Sequence, residues 1–447
     1  MAMQRDLTNG SITKTMLLFA WPMILGNLLQ QVYNVADTLI VGRYVGPEAL
    51  AAVGSSFTLM VFLTSIIIGL CMGSGVVYSI FFGAREKEKL KSSFFMSFVF
   101  IAAVTVVIQI ATLCLIDPIL TALQIPPEAY SATKSYLTIT LYGIIFIFVY
   151  NYFTSVLRGI GNSTTPLIFL GVAVILNVAL DLILIIPFNM GVEGAAVATV
   201  ISQAASAASI AIYCILKTPE LRLKRKHMKF ERSILNKIIQ YSSLTCIQQS
   251  IMNFGILMVQ GLVNSFGVSV MAAFAAAVKI DSFAYMPVQD FGNAFSTYVA
   301  QNYGAKKSAR IHEGIKSAVK ASLIFCIIIS AIVVIFAKPL MTLFVSPEDV
   351  EIIAIGVQYL RIEGACYCGI GCLFLLYGLY RGVGKPAISI VLTVISLGTR
   401  VLLAYVLAAM PSIGLVGIWW AIPIGWVLAD ITGIMYYIRN KNDILSC

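Results

Sequence analysis

The chain has 447 residues, 59% of them hydrophobic and only 11% charged, with a mean hydropathy of +0.92 and a formal net charge of +10. A soluble domain carries roughly 25% charged residues, so too little polar surface exists here to cover a water-soluble globule. The apolar runs exceed the roughly 20 residues a spanning helix needs and lack the even alternation of an outer-membrane barrel. The expected fold class is an all-α polytopic membrane protein.

In chain order, breaks between apolar runs give twelve predicted transmembrane helices: 15–43, 50–82, 92–116, 131–157, 164–187, 192–216, 234–264, 270–302, 315–337, 351–380, 387–409 and 414–438. They are numbered spans 1 to 12 below. The first run is too long for a cleavable signal peptide, and no small-residue cleavage site follows it. It is expected to remain as the first span.

The positive charge is distributed in a pattern that argues against nucleic acid. Every second connection is basic: REKEKLK (85–91), RGIGNSTTP (158–166), KTPELRLKRKHMKFERS (217–233), GAKKSARIHEGIK (304–316) and RGVGKP (381–386). The intervening connections hold almost no Lys or Arg, with Lys338 and Arg43 as exceptions. This positive-inside pattern puts both termini in the cytoplasm, and the basic loops are suited to anionic lipid. Nine cysteines show no metal-ligand spacing, and Cys366, Cys368 and Cys372 read as small apolar residues. His227 and His312 both sit in basic loops. Neither metal binding at His or Cys nor His-based catalysis is indicated, and no nucleophile motif or phosphate loop points to an enzyme.

The longest charged loop divides the spans six and six. A shift of about 221 positions puts Gly46 on Gly267, Ala51-Ala52 on Ala272-Ala273, Gly83-Ala84 on Gly304-Ala305, and Pro118 and Thr121 on Pro339 and Thr342. A shift of 223 then puts Tyr136-Leu137 on Tyr359-Leu360 and LRGIG (157–161) on YRGVG (380–384). Such ordered self-similarity marks an internal repeat. Two parallel six-helix halves are expected, related by an axis along the membrane normal, as in carriers that work by alternating access. The predicted organisation is residues 1–216 as one lobe, 217–233 as a cytoplasmic linker, and 234–447 as the second lobe.

An ionised carboxylate at mid-membrane depth costs about 2.5 kcal/mol or more, so the polar residues inside spans single themselves out. In span 1, Gln30, Asn34 and Asp37 are spaced by four and three and line one helix face. Lipid cannot satisfy such a stripe, which must face protein or water. In span 5, Asn177 and Asp181 are four apart, and span 6 brings Thr199 to a similar depth. Two carboxylates, an amide and a hydroxyl form a set of hard oxygen ligands suited to a small cation such as Na⁺, or to a proton shared between like charges. Pro22 lies upstream of Asp37 in span 1, where a missing backbone hydrogen bond favours a kink or hinge. The repeat puts Met258 opposite Asp37, so the second half lacks this carboxylate. It carries other polar groups instead. Gln249 and Asn253 in span 7 and Asp290 in span 8 are expected to line a substrate cavity with Gln30 and Asn34. Lys279 with Asp281, and Arg361 with Glu363, read as structural ion pairs, made locally or across helices.

These segments resemble the multidrug and toxic compound extrusion (MATE) family over nearly the whole chain. The likeness runs through WPMILGNLLQQVYNVADTLIVGRYVG in span 1, VGPEALAAVG after it, and the Gly-Ala ends of spans 2 and 8. It continues in both RG-x-G loops, in LNVALD with GVEGAAVAT in spans 5 and 6, and in AYMPVQDFGNAFSTYVAQNYGA in span 8. The resemblance implies two pseudo-symmetric six-helix bundles around a V-shaped cavity. It also implies export of amphipathic organic cations and drugs in exchange for H⁺ or Na⁺, with no other cofactor. On it, Asp37, Asn177, Asp181 and Thr199 become cation-coupling residues, and Pro22 becomes the bend of span 1. Some members of the family carry an acidic residue in span 7, where this chain has only Gln and Asn. A bacterial inner-membrane location and a monomer are the matching expectations. The alternative is a lipid-linked oligosaccharide or peptidoglycan-precursor flippase of the same superfamily. A pyrophosphate cargo would ask for unpaired Arg or Lys in the cavity, whereas most intramembrane cations here have acidic neighbours. A carrier of the major facilitator type is disfavoured because FFGAREKEKLKSS does not fit its Gly-Asp-Arg-Gly loop.

The charge pattern predicts that a green fluorescent protein fused to the C-terminus will fluoresce in cells while alkaline phosphatase fused there stays inactive. The opposite result would invert the topology.

Overall fold

A computed structural model describes residues 4–445 apart from 124 and 126, and apart from the side chains of 47, 48, 50, 51, 58, 122 and 445. Among the described residues the regular structure is entirely helical. Ten helices are long and apolar enough to cross a membrane by themselves: Ile12–Tyr44, Ala52–Gly83, Lys87–Cys114, Thr164–Ile185, Gly191–Lys217, Arg232–Asn264, Val268–Gly304, Ser308–Ile335, Pro386–Ala408 and Leu415–Arg439. Two further pairs, Pro127–Tyr142 with Ile144–Gly159 and Val350–Ala365 with Tyr367–Gly382, are bent by 41° and 52° at a short break. Counting each pair as one broken span gives the expected twelve.

The two breaks, in spans 4 and 10, share one cause. At the first, the Gly143 N–H bonds to Thr140 O at 2.9 Å, and at the second the Cys366 N–H bonds to Glu363 O at 2.9 Å. These tight three-residue closures replace α-helical bonds and turn the axis. Gly143 also lacks room for a side chain, because a Cβ there would come within 2.6 Å of Gln203 Oε1. A short helix precedes each broken span, Ile116–Ala122 and Ala337–Met341, so the repeat extends to secondary structure.

The chain forms two compact units whose limits fall inside helices. The first comprises the residues up to Asp6 with Leu25–Cys246, and the second comprises Leu7–Ile24 with the chain from Ile247 onward. Span 1 therefore divides at Ile24/Leu25 and span 7 at Cys246/Ile247, positions 222 apart by this numbering and hence equivalent in the repeat.

In the second unit, Met16, Phe19, Ala20 and Met23 of span 1 enter a core with Phe274, Phe291, Tyr298, Tyr380 and Trp419. The segment ahead of span 1 is held by polar contacts. Leu7 N–H donates to Gln301 Oε1 (3.1 Å), Asn302 Nδ2 to Leu7 O (3.1 Å), Lys307 Nζ to Thr8 O (2.8 Å) and Arg310 to Gly10 O (3.0 Å). In the first unit, Ile234 and Ile238 of span 7 join Ile67, Leu70, Phe94 and Phe148. Span 7 approaches closely because span 2 offers Gly69 and Gly73, a small-xxx-small spacing that lets backbones touch. A Cβ on Gly69 would lie 2.6 Å from the Cys246 Cα, and one on Gly73 would meet the Tyr241 carbonyl and Ser242 Cα. Ser74 and Ser242 hydroxyls then bond at 2.8 Å. His227 is buried: its Nδ1 accepts from Lys224 N–H (2.9 Å), leaving Nε2–H to donate to Glu88 (3.0 Å). It fastens the linker to span 3.

Overpacking a tight helix contact costs about 1–3 kcal/mol. Gly73→Ala is therefore predicted to lower the thermal unfolding midpoint of the purified protein, whereas Gly54→Ala, where nothing lies within 4 Å, will not. Equal midpoints for both variants would contradict the backbone contact.

Candidate functional site

The first unit brings together all four residues expected to form the cation site. Asp37 comes from span 1, Asn177 and Asp181 from span 5, and Thr199 from span 6. Asp37 is 8% exposed, Asn177 1% and Asp181 0%. The four-residue spacing of Asn177 and Asp181 places both on the buried face of a helix that otherwise shows apolar side chains to its surroundings. With the Asn177 amide oriented donor to acceptor, its Nδ2 donates to Asp181 Oδ2 at 2.8 Å and its Oδ1 accepts from Thr199 N–H at 3.2 Å. The amide thus ties span 5 to span 6. The Asp37 and Asp181 carboxyl groups lie close enough to interact electrostatically.

Composition reading missed two tyrosines. Tyr33 is one turn before Asp37, and its hydroxyl lies 3.4 Å from Thr199 Oγ1. Tyr136 of span 4 is 8% exposed and stands within electrostatic reach of both aspartates. The four-residue step from Tyr33 to Asp37 carried the first of these in the sequence; Tyr136 gave no signal, because only the tertiary fold brings span 4 to the site. One turn beyond each aspartate, Val41 and Ile185 enter a small apolar cluster with Ala49, Val53, Tyr136, Ala195 and Ala196. This cluster continues the packing beyond the site with apolar side chains.

One oxygen of each carboxyl, Asp37 Oδ1 and Asp181 Oδ1, is buried without a hydrogen-bond donor. Two carboxylates this close and out of water cannot both stay ionised unless positive charge joins them. The unsatisfied oxygens, with the Thr199 hydroxyl and the Asn177 amide beside them, fit a proton or a small hard cation. Among the described residues, no group of three or more His, Cys, Asp or Glu has metal-holding geometry, so any cation here would rely on the amide and hydroxyl as well as the two acids.

Gln30 and Asn34 are half-buried on the same helix and in the same unit as Asp37, while Thr38 turns away and bonds Asn34 O at 2.8 Å. Gln249, Asn253 and Asp290 belong to the second unit, the amides half-buried and Asp290 buried. Pro22 is buried within the continuous helix Ile12–Tyr44, shortly before the division at Ile24/Leu25.

The ion pairs expected between Lys279 and Asp281 and between Arg361 and Glu363 do not form. Residues two apart on a helix point in different directions, and here Lys279 and Arg361 are exposed while Asp281 and Glu363 are buried. The Tyr367 hydroxyl donates to Asp281 Oδ1 at 2.6 Å, and Tyr359 stands one turn before Glu363 within electrostatic reach of it.

Comparison with known proteins identifies the family. The MatE family model matches residues 22–183 and 245–406, one copy in each half. The chain is 30% identical over 438 residues to the probable multidrug resistance protein YpnP of Bacillus subtilis, covering 97% of this chain and 96% of that one. It is 27% identical to the probable multidrug resistance protein NorM of Thermotoga maritima, covering 96% and 93%. A solved structure described as the outward-facing conformation of a multidrug resistance MATE family transporter of the MOP superfamily superposes with a TM-score of 0.91 at 25% identity, covering 98% of both chains. Two matched halves, twelve spans and full-length similarity together show that the chain belongs to the MatE family, the multidrug and toxic compound extrusion transporters.

Proposed function

We propose that the protein is a cation-coupled antiporter that exports amphipathic organic cations and drugs by alternating access, driven by H⁺ or Na⁺. The observation that carries this reading is the buried Asp37–Asp181 pair, with an unsatisfied oxygen on each acid beside Asn177 and Thr199. The relatives named above are multidrug proteins, which supports drug export over the flippase alternative.

In this mechanism the pair takes up an ion from outside, which cancels its buried charge. Asn177 and Thr199 orient Asp181, and Tyr33 holds Thr199. The changed charge on Asp37 alters what span 1 gains from its packing in the first unit. Pro22 is the hinge, since a backbone bond is already missing there. Drug leaves, and the ion is released to the cytoplasm when the transporter faces inward. A membrane potential supplies about 2.3 kcal/mol per charge per 100 mV, to which a chemical gradient adds. Gln30, Asn34, Gln249, Asn253 and Asp290 contact the cargo in this reading, with the acid selecting positive charge. The protein acts as a monomer in a bacterial inner membrane, with both termini in the cytoplasm.

The test is ethidium export in proteoliposomes under a proton gradient and, separately, a sodium gradient. One of the two gradients is expected to drive wild type, and Asp37→Asn, folded by size exclusion, is expected to fall to the background leak. Export by Asp37→Asn at the wild-type rate would remove the pair from the coupling mechanism.

A further inference from the structure

The linker 217–233 is folded against the first unit by contacts that neither ion coupling nor cargo requires. His227 is buried between the Lys224 N–H (2.9 Å) and Glu88 of span 3 (3.0 Å), and Lys226 Nζ also reaches Glu88 at 2.6 Å. Lys91 Nζ of span 3 donates to Arg222 O at 3.1 Å. The short turns Pro219–Leu221 and Arg225–Met228 pack on the same helix. A segment pinned in this way presents its remaining side chains at fixed places and not as a loose tail.

Those side chains are of two kinds. Arg222, Lys224, Arg225, Lys229 and Arg232 are exposed, and none of the five forms an ion pair among the described residues. The linker's own acids do not pair with them: Glu231 accepts the Ser233 hydroxyl at 3.0 Å, and Glu220 is half-buried. Phe230 and Met228, set among these cations, are 62% and 47% exposed. The Phe230 ring meets Phe95 of span 3 edge-on, with centroids 5.8 Å apart. Phe95 lies about 12 Å along the helix Lys87–Cys114 from its first residue. That position is inside the apolar stretch 92–116, so Phe230 stands at a depth that acyl chains reach.

We propose that the linker is an interfacial lipid-binding element, in which Phe230 and Met228 enter the acyl-chain region while Arg225, Lys229 and Arg232 hold the headgroups of anionic phospholipids. A membrane interface accommodates this mixture, with apolar tips among the chains and Lys and Arg in the headgroup layer. A nucleic acid or a soluble acidic protein would meet the cations but not Phe230, whose neighbour Phe95 lies within the span. Zwitterionic headgroups carry no net charge to set against unpaired cations, whereas anionic ones attract a basic segment at the membrane surface. The site depends on neither the coupling ion nor the cargo.

Tryptophan fluorescence of the full-length protein in vesicles tests this. Phe230→Trp is read by difference from wild type in mixed phosphatidylglycerol and phosphatidylcholine vesicles. One lipid or the other carries bromines near the glycerol end of its chains. Both brominated lipids should quench the added fluorescence, about twofold more strongly when phosphatidylglycerol is the brominated one at equal mole fraction. Adding Arg225→Gln, Lys229→Gln and Arg232→Gln should keep the quenching and make the two lipids equal. Met228→Trp serves as the reporter if Phe230→Trp does not fold. Equal quenching with all cations present, or a difference that survives the three substitutions, would overturn the anionic headgroup site. Fluorescence quenched by aqueous iodide and by neither lipid would overturn the membrane contact and leave the patch to a soluble partner. The readout needs no transport, so failure of ethidium export would leave it standing.

Discussion

The closeness of the Asp37 and Asp181 carboxyls is the constraint on which the reading of this molecule turns. Burying one carboxylate inside a membrane helix is unfavourable, and burying two against each other is worse unless a proton or cation joins them. Helices that carry such a pair must pack it away from lipid. Asn177 supports it by bonding Asp181 and the Thr199 backbone together, and the apolar cluster around Tyr136 continues the packing beyond it. Spans 1, 4, 5 and 6 are thus committed to a common arrangement by the demands of one charge pair.

The second constraint is the repeat. Duplication of a six-span half accounts for the matched helix lengths, the paired short helices, and the bends in spans 4 and 10. It also accounts for the way compactness divides the chain. In each half, the opening turns of the first span pack with the other half's residues, and the change of partner falls at equivalent positions, Ile24/Leu25 and Cys246/Ile247. Gly69 and Gly73 make this possible for span 7, and the polar hold of Gln301, Asn302, Lys307 and Arg310 does so ahead of span 1. Pro22 lies beside that change of partner in span 1.

Charge is handled differently in the two units. The first gathers two acids with an amide and hydroxyls, while the second gathers two acids with a guanidinium and phenolic donors. The sequence neighbours Lys279 and Arg361 look like natural counter-ions for Asp281 and Glu363, yet a helix turns residues two apart away from each other. Asp281 instead accepts the hydroxyl of Tyr367 from another helix, and Arg400 of span 11 lies within electrostatic reach of both acids.

Composition and periodicity by themselves determined the membrane class, the twelve spans and the repeat, and they put Asp37, Asn177, Asp181 and Thr199 inside spans. Apart from the repeat, which is read by sliding the chain along itself, each of those is local: hydropathy is summed over adjacent residues, and a face is set by a spacing of three or four. The MATE likeness is legible for the same reason, since its motifs are short runs in fixed order. Only the tertiary structure decided that Tyr136 joins the site, that units divide inside spans 1 and 7, and that spans 4 and 10 bend. It alone placed Glu363 beside Asp281 and not beside Arg361. Those outcomes depend on which helices touch, which is set by close backbone approach at glycines and by the satisfaction of buried polar groups across distances no sequence window spans.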